Sequence, residues 1–444
     1  MCISCQIYGE KCGIIKRKTG GCSLVGLLSR ALERQRSHMN FVFISPNFPD
    51  NFRNFCDRLS ANGVNVLGVG DASYDSLSDM LKSSLTEYYK VDSMEDYGQV
   101  YRAVAFFAFK YGRIDWIESN NEYWLELDAR LRQDFNVMTG VQPEDLALWK
   151  SKAAMKPVYR AAGIPSARQH RVSTIEAALE FLDEIGGYPV FAKPNVGVGA
   201  SATFKIDNEE ELKAFFDEVS GKDYVMEEYI SGDIYTYDAI CDENGEPVFE
   251  SSFTCVNVAD SVNDDTEAII YVVPEVPDQL REYGRRALKG FKVRSRFVHF
   301  EFFKLTEARK GLAEAGEFVG LEVNMRPAGG FIPDMMNYAH STDVYRIWAD
   351  MVCGKSDANA NSGPDRYCIF VGAKDRFKHV HSHDEILARY DGKITMCQRM
   401  PAVFYAAMGS QMYMALLDTE KEVGEFAYYV LDEEAPKLMP HLFK

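Results

Sequence analysis

What this chain of 444 residues lacks narrows it quickly. It has no apolar run approaching the roughly 18 residues that a membrane-crossing helix needs, so no membrane partner is expected. Cysteine is thin, ten residues scattered along the chain, far below the density of a disulfide scaffold; reduced thiols and a cytoplasmic location are the expectation. Basic charge is short as well. The net charge of −17 argues against a nucleic-acid partner, whose affinity rests largely on Lys and Arg neutralising phosphates, and leaves room only for a small basic pocket. With 32 Gly and 16 Pro the chain is neither collagenous nor low-complexity, and it has no internal repeat. What is present is 46% hydrophobic residues with 28 Phe and 24 Tyr, enough to bury the cores of about three interlocked domains.

The N-terminal 1–38 differ from the rest, with seven Lys/Arg against Glu10 and Glu33 and four of the cysteines. Cys2 and Cys5 form a C-x-x-C pair, but Cys12 and Cys22 follow at spacings of no common zinc finger. The stretch reads as a basic extension outside the fold, with Met39 opening the folded part.

From there, Phe41–Ser45, Asn65–Gly70 and the run Arg113–Glu118 read as strands, and Tyr101–Tyr111 as a helix. Strands alternating with helices predict a parallel sheet, whose ligand groups gather beyond the carboxyl ends of its strands. Asn120, Asn121 and Glu122 sit at such an end as substrate candidates; a plain turn with a helix cap at Asn120 or Asn121 explains them equally well. From about Pro143 the pattern changes: a helix over Leu146–Ala162 stopped by Gly163 and Pro165, a helix over Thr174–Ile185, and strands at Tyr188–Lys193 and Ala202–Ile206 flanking a glycine-rich stretch. A helix over Glu209–Val219 and an apolar run at Tyr224–Ile230 follow. Beyond Tyr367, Cys368–Val371 and Val403–Ala407 read as short strands of an α+β cap.

Gly197-Val198-Gly199-Ala200-Ser201-Ala202 matches G-x-G-x-x-G/A, but a strand rather than a helix follows, so a dinucleotide-binding corner is ruled out by context. No Lys-Ser/Thr follows these glycines, and the chain contains neither His-Arg-Asp nor Asp-Phe-Gly. A flexible hairpin that can fold over phosphates remains, with Lys193 at its base supplying a point charge; an ordinary glycine-rich turn stands beside it. Two later segments are harder to read blandly. In Phe297-Val298-His299-Phe300-Glu301-Phe302-Phe303 one carboxylate interrupts a bulky apolar strand, where a cation partner is the economical explanation. In Leu321-Glu322-Val323-Asn324-Met325-Arg326, Glu322, Asn324 and Arg326 share a strand face, and Glu301 joins them if the two strands pair, with Gly316 and Glu317 near the turn. Carboxylates plus an amide oxygen suit Mg²⁺, and Arg326 beside them suits a transferring phosphoryl group. A Glu–Arg ion pair on a half-exposed sheet is the plain alternative. His379, His381 and His383 could bind metal, but a solvated loop is the favoured reading.

Together these segments resemble the ATP-grasp superfamily, especially its carboxylate–amine ligases and the carbamoyl-phosphate-synthase and biotin-carboxylase branch, over roughly Phe41–Gly354. SKAAMKPVYRAAGIP resembles the helix carrying the first nucleotide lysine, Lys152; Ser151 stands where the family often has an acid. YPVFAKPNVGVGAS resembles the second-lysine strand and phosphate flap, implying Lys193, Gly197, Gly199 and Ser201. YVMEEYISGD resembles the hinge that receives adenine, implying Glu227, Glu228, Ile230 and Asp233. FVHFEFF and GLEVNMRP resemble the metal strands, implying Glu301, Glu322 and Asn324 as Mg²⁺ ligands and Arg326, with Lys193, as catalytic. The following RPAGGF resembles amino-acid and peptide-type ligases and adds Gly329 and Gly330 as substrate candidates.

The resemblance implies an α/β and α+β chain: a basic extension (1–38), a Rossmann-like parallel-sheet pre-ATP-grasp domain (39–140), an ATP-grasp domain (141–365, with a lid at about 165–230) and a small C-terminal α+β cap (366–444). The implied reaction is ATP-dependent ligation through an acyl phosphate, joining a small-molecule carboxylate to an amine. The implied cofactors are ATP and two Mg²⁺ ions, with Mn²⁺ an acceptable substitute. A homodimer is compatible with this reading. The alternatives are a small-molecule phosphotransferase on the same fold and a nucleotide-binding regulatory protein without turnover.

Overall fold

In the computed structural model the described residues are 39–197, 202–256, 266–355 and 363–443. Three sheets organise them. The first is built where short apolar strands alternate with helices: β1 (Asn40–Ile44), β2 (Asn65–Gly70), β3 (Glu87–Lys90) and β4 (Trp116–Glu118) run parallel in the order β3-β2-β1-β4. Residues of β1 and β4 are buried on both faces, as a helix-covered parallel sheet requires. Of the apolar run Arg113–Glu118, only the last three residues pair as a strand.

The second sheet has β5 (Gln169–Arg171), β6 (Val190–Pro194), β7 (Phe204–Ile206) and β8 (Tyr224–Glu228), antiparallel in the order β5-β8-β6-β7. Two amphipathic helices, Ile175–Ile185 and Glu209–Glu218, cover one face and bury Phe181, Leu182, Leu212 and Phe215 against it. Thr174 and Asn208 cap them through side-chain oxygens that accept from the Ala177 and Glu211 N–H groups.

The third sheet is large and antiparallel. Its strands are β9 (Gly232–Cys241), β10 (Pro247–Ser251), β11 (Phe253–Cys255), β12 (Ala268–Val272), β13 (Arg296–Leu305), β14 (Phe318–Asn324), β15 (Tyr367–Ala373), β16 (Ile394–Arg399) and β17 (Gln411–Leu417). They order as β14-β13-β9-β11-β12-β15-β17-β16, with β10 on β9. The C-terminal α+β segment thus adds three strands to the same sheet. An aromatic knot joins this layer to the parallel sheet: Phe41 packs on Trp116 and Trp348, and Phe55 on Trp348 and Tyr345.

Two expected elements differ. The helix expected over Leu146–Ala162 is two helices, Pro143–Lys150 and Lys152–Ala161, because Ser151 turns to an extended ψ of 112° and caps the second. The strand expected at Val403–Ala407 is helical, a turn at Ala402–Phe404 and then Tyr405–Met408. Val403 is 71% exposed, so no sheet neighbour rewards its β-branched preference. Among the described residues no helix is long and apolar enough to cross a membrane. The extension 1–38 lies outside the described residues.

Candidate active site

The site begins at the Ser151 break. Ser151 Oγ accepts from the Ala154 N–H (3.2 Å), while Asn195, just past β6, accepts from Lys152 N–H at its carbonyl and from Ala153 N–H at its side chain, both at 2.9 Å. The helix start is therefore pinned to the second sheet. Lys152 and Lys156, one turn apart, face the same way. Lys152 Nζ lies 3.0 Å from Glu322 Oε1, and Lys156 Nζ reaches the Leu321 carbonyl and Glu227 Oε1, each at 3.2 Å.

Lys193 on β6 meets the other oxygen of Glu227 at 2.7 Å, and Gln169 Nε2 donates to Glu227 at 2.8 Å. Burial alone would raise the Glu227 carboxyl, but the two lysines and their hydrogen bonds outweigh it and hold its pKa at about 2. Burial pulls Lys193 down, yet Glu227, Glu322 and Glu301 together raise it above its ordinary value. For Lys156 burial wins over Glu227 and the value falls.

On the large sheet, Glu301 stands opposite Glu322 and His299 opposite Asn324, with a bulge just after Glu301. The Glu301 and Glu322 side chains are 29% and 24% exposed, half-buried and open on one side. His299 lies between carboxylates, its Nδ1 3.0 Å from Asp238 and its Nε2 3.2 Å from Glu301, with its ring stacked on Phe253. Burial would lower this imidazolium; Asp238 and Glu301 outweigh that and hold it up at about 9. The His299 contact orients the Glu301 carboxylate. Arg326 donates to the Pro327 carbonyl (3.0 Å), and its Nε lies 3.5 Å from Glu122. Arg326 thus pairs with Glu122, while Glu322 pairs with Lys152 at 3.0 Å.

Lys152, Lys193, Gly197, Glu227, Glu228, Ile230 and Asp233 line one cavity of about 940 Å³ together with Glu301, Glu322, Asn324, Arg326, Gly329 and Gly330. The Glu228 carboxylate is engaged by Arg168 (2.6 Å) and Arg309 (3.0 Å) and has no exposure. Glu122 is not a lining residue; it backs Arg326. Burial, with Glu322 adding and Arg326 opposing, raises its carboxyl. Asn121 is a cap, its side chain accepting from the Tyr123 N–H at 3.0 Å, which is the plain reading of that turn. Gly199 and Ser201 lie outside the described residues. Lys156, His299 and Asp238 join the site without having been singled out. Lys156 and His299 carried a signal, lying four residues after Lys152 and two before Glu301.

The donor set fits Mg²⁺. Glu301, Glu322 and Asn324 present hard oxygens from adjacent strands. Among the described residues no group of three or more His, Cys, Asp or Glu is arranged to hold an ion. The histidines near residue 380 line one shallow pocket, with His379 and His381 both within 4 Å of Asp432, but each is engaged by its own partner. His379 lies 2.7 Å from Glu267, His381 stacks on Tyr429, and His383 Nδ1 is 3.0 Å from the Tyr413 hydroxyl.

No family model and no curated protein matches the chain in sequence. Solved structures do match in fold. An L-amino acid ligase from Bacillus licheniformis superposes with a TM-score of 0.65 at 13% identity, covering 90% of this chain and 98% of the other. The biotin carboxylase domain of the Hydrogenobacter thermophilus 2-oxoglutarate carboxylase, solved with MgADP and bicarbonate, gives 0.64 at 15% identity over 91% and 98%. A Campylobacter jejuni biotin carboxylase gives 0.62 at 16% identity over 91% and 95%. The chain has the ATP-grasp fold.

Proposed function

We propose that this chain is an ATP-dependent ligase that activates a small-molecule carboxylate as an acyl phosphate and passes it to an amine. The observation that supports this most is the convergence of Lys152, Lys193, Glu301, Glu322, Asn324 and Arg326 on one cavity between the second and third sheets. Glu301, Glu322 and Asn324 would hold Mg²⁺, which when bound with the phosphates neutralises their charge. Lys152 and Lys193 bind phosphate oxygens, and Glu227 keeps Lys193 protonated and in place. A substrate carboxylate oxygen attacks the γ-phosphorus and ADP leaves; the amine nitrogen then attacks the acyl carbon and inorganic phosphate leaves. Arg326, steadied by Glu122, stabilises charge on the transferring group. The β5–β8 sheet is the lid in this reading, and Gly197 the near end of a phosphate-covering turn.

The test is Glu322→Gln, which keeps size and removes the charge. Phosphate release from Mg-ATP is measured over a panel of carboxylate–amine pairs. The expected variant stays folded and retains part of its nucleotide affinity, and its release falls by about 100-fold or more. Undiminished release would overturn the assignment.

A further inference from the structure

The far end of the same cavity points to a substrate preference, which rests on the ligase reading only for which molecule is bound there. One face of the large sheet changes chemistry strand by strand. Register aligns Glu322 with Glu301, Glu301 with Thr236, and Cys255 with both Ile234 and Ile270, so these side chains share that face. The face is charged on β14 and β13 and hydroxylic at Thr236. It turns apolar at Phe253, Cys255 and Ile270. Ile332 and Met408 close over this last part, and all five belong to one hydrophobic cluster.

Cys255, Ile270 and Met408 are only half-buried, so the cluster leaves an apolar wall facing the cavity. A second apolar lining, Phe191, Ile230 and Val319, lies at the lid side. Val319 on β14 and Ile270 on β12 are four strand positions apart, roughly 19 Å at the ~4.8 Å strand spacing, with Glu301, His299 and Thr236 on strands between. One apolar group cannot occupy both ends. At about 940 Å³ the cavity is also near the top of the roughly 300–1,000 Å³ range for ligand pockets, with room for a second molecule beside a nucleotide. A Cβ added at Gly329 would meet nothing within 4 Å, so the backbone there borders open space.

We infer that the carboxylate substrate carries a compact, uncharged apolar group, seated on Phe253, Cys255, Ile270, Ile332 and Met408 beside the carboxylate-bearing strands. The test is calorimetric titration of the full chain, loaded with Mg-ADP, with alanine, valine and phenylalanine against aspartate, lysine and serine. Alanine and valine should bind about ten-fold tighter or more than the polar three, phenylalanine should bind less tightly than valine, and Met408→Ala should shift preference toward phenylalanine by a similar factor. Equal binding of all six, preference for a charged side chain, or no binding of any would overturn the inference. Phosphate release from Mg-ATP with the same carboxylates plus an amine separates the two readings. Apolar binding without release sinks the ligase reading and keeps the pocket preference. Release with charged carboxylates alone keeps the ligase reading and sinks the preference.

Discussion

Glu227 shows how one buried carboxylate holds two cations at once. Its oxygens are divided between Lys156 and Lys193, and its carboxyl falls from 4.5 to about 2. A group whose pKa is depressed on folding adds stability that is complete above the unfolded value and fades as pH falls through the folded one. The Glu227 contribution is therefore expected to disappear between about pH 4.5 and pH 2, and denaturant unfolding across that window should lose a component absent from Glu227→Gln. At neutral pH the same variant leaves two buried lysines partly uncompensated, a loss of about 3–5 kcal/mol. An unfolding free energy within about 1 kcal/mol of the parent would show that the lysines find other partners.

At the scale of elements, the break at Ser151 matters more than either helix it separates. A continuous helix would give Ser151 a helical ψ and remove the Asn195 contacts that draw Lys152 against β6. Ser151→Ala keeps the backbone path but removes the hydroxyl that accepts from Ala154 N–H and donates to Asn195 at 2.9 Å. The expected cost is about 1 kcal/mol in denaturant unfolding, with weaker nucleotide binding by titration because Lys152 is less firmly placed. Lost stability with unchanged affinity would mean that the cap holds the helix and not the lysine.

For the whole molecule, the junction of the parallel sheet with the large sheet is electrostatic as well as aromatic. Glu118 at the end of β4 lies between Arg132 and Arg296, all three buried, and Arg296, at the start of β13, also donates to the Met325 carbonyl next to Arg326. Burial alone would raise the Glu118 carboxyl, but the two arginines bring it down. Arg296→Met should destabilise by about 3–5 kcal/mol, since it removes one of the two cations that compensate a buried carboxylate. It should also weaken phosphate release beyond what lost stability explains, because the segment carrying Arg326 loses its anchor. Unfolding measured alongside single-temperature turnover of the folded fraction separates the two effects.

Much of this was open to local reading. Period-two alternation put Glu322 and Asn324 on one face, one carboxylate in an apolar strand called for a cation, and strand–helix alternation predicted the parallel sheet; each depends on residues a few positions apart. Pairing Glu301 with Glu322, His299 with Asn324, and Glu227 with two lysines from different elements required distant segments to dock, and no short-range pattern encodes that. The same holds for the misread pieces. Val403–Ala407 has β-branched and aromatic residues but no strand beside it, so helical turns win, and the helix through Ser151 breaks because Asn195, 44 residues on, binds its backbone more favourably than a further turn would. Side-chain type and spacing settled which chemistry could assemble. Tertiary packing settled which carboxylate faces which lysine, because desolvation leaves a buried charge little choice but to find its partner.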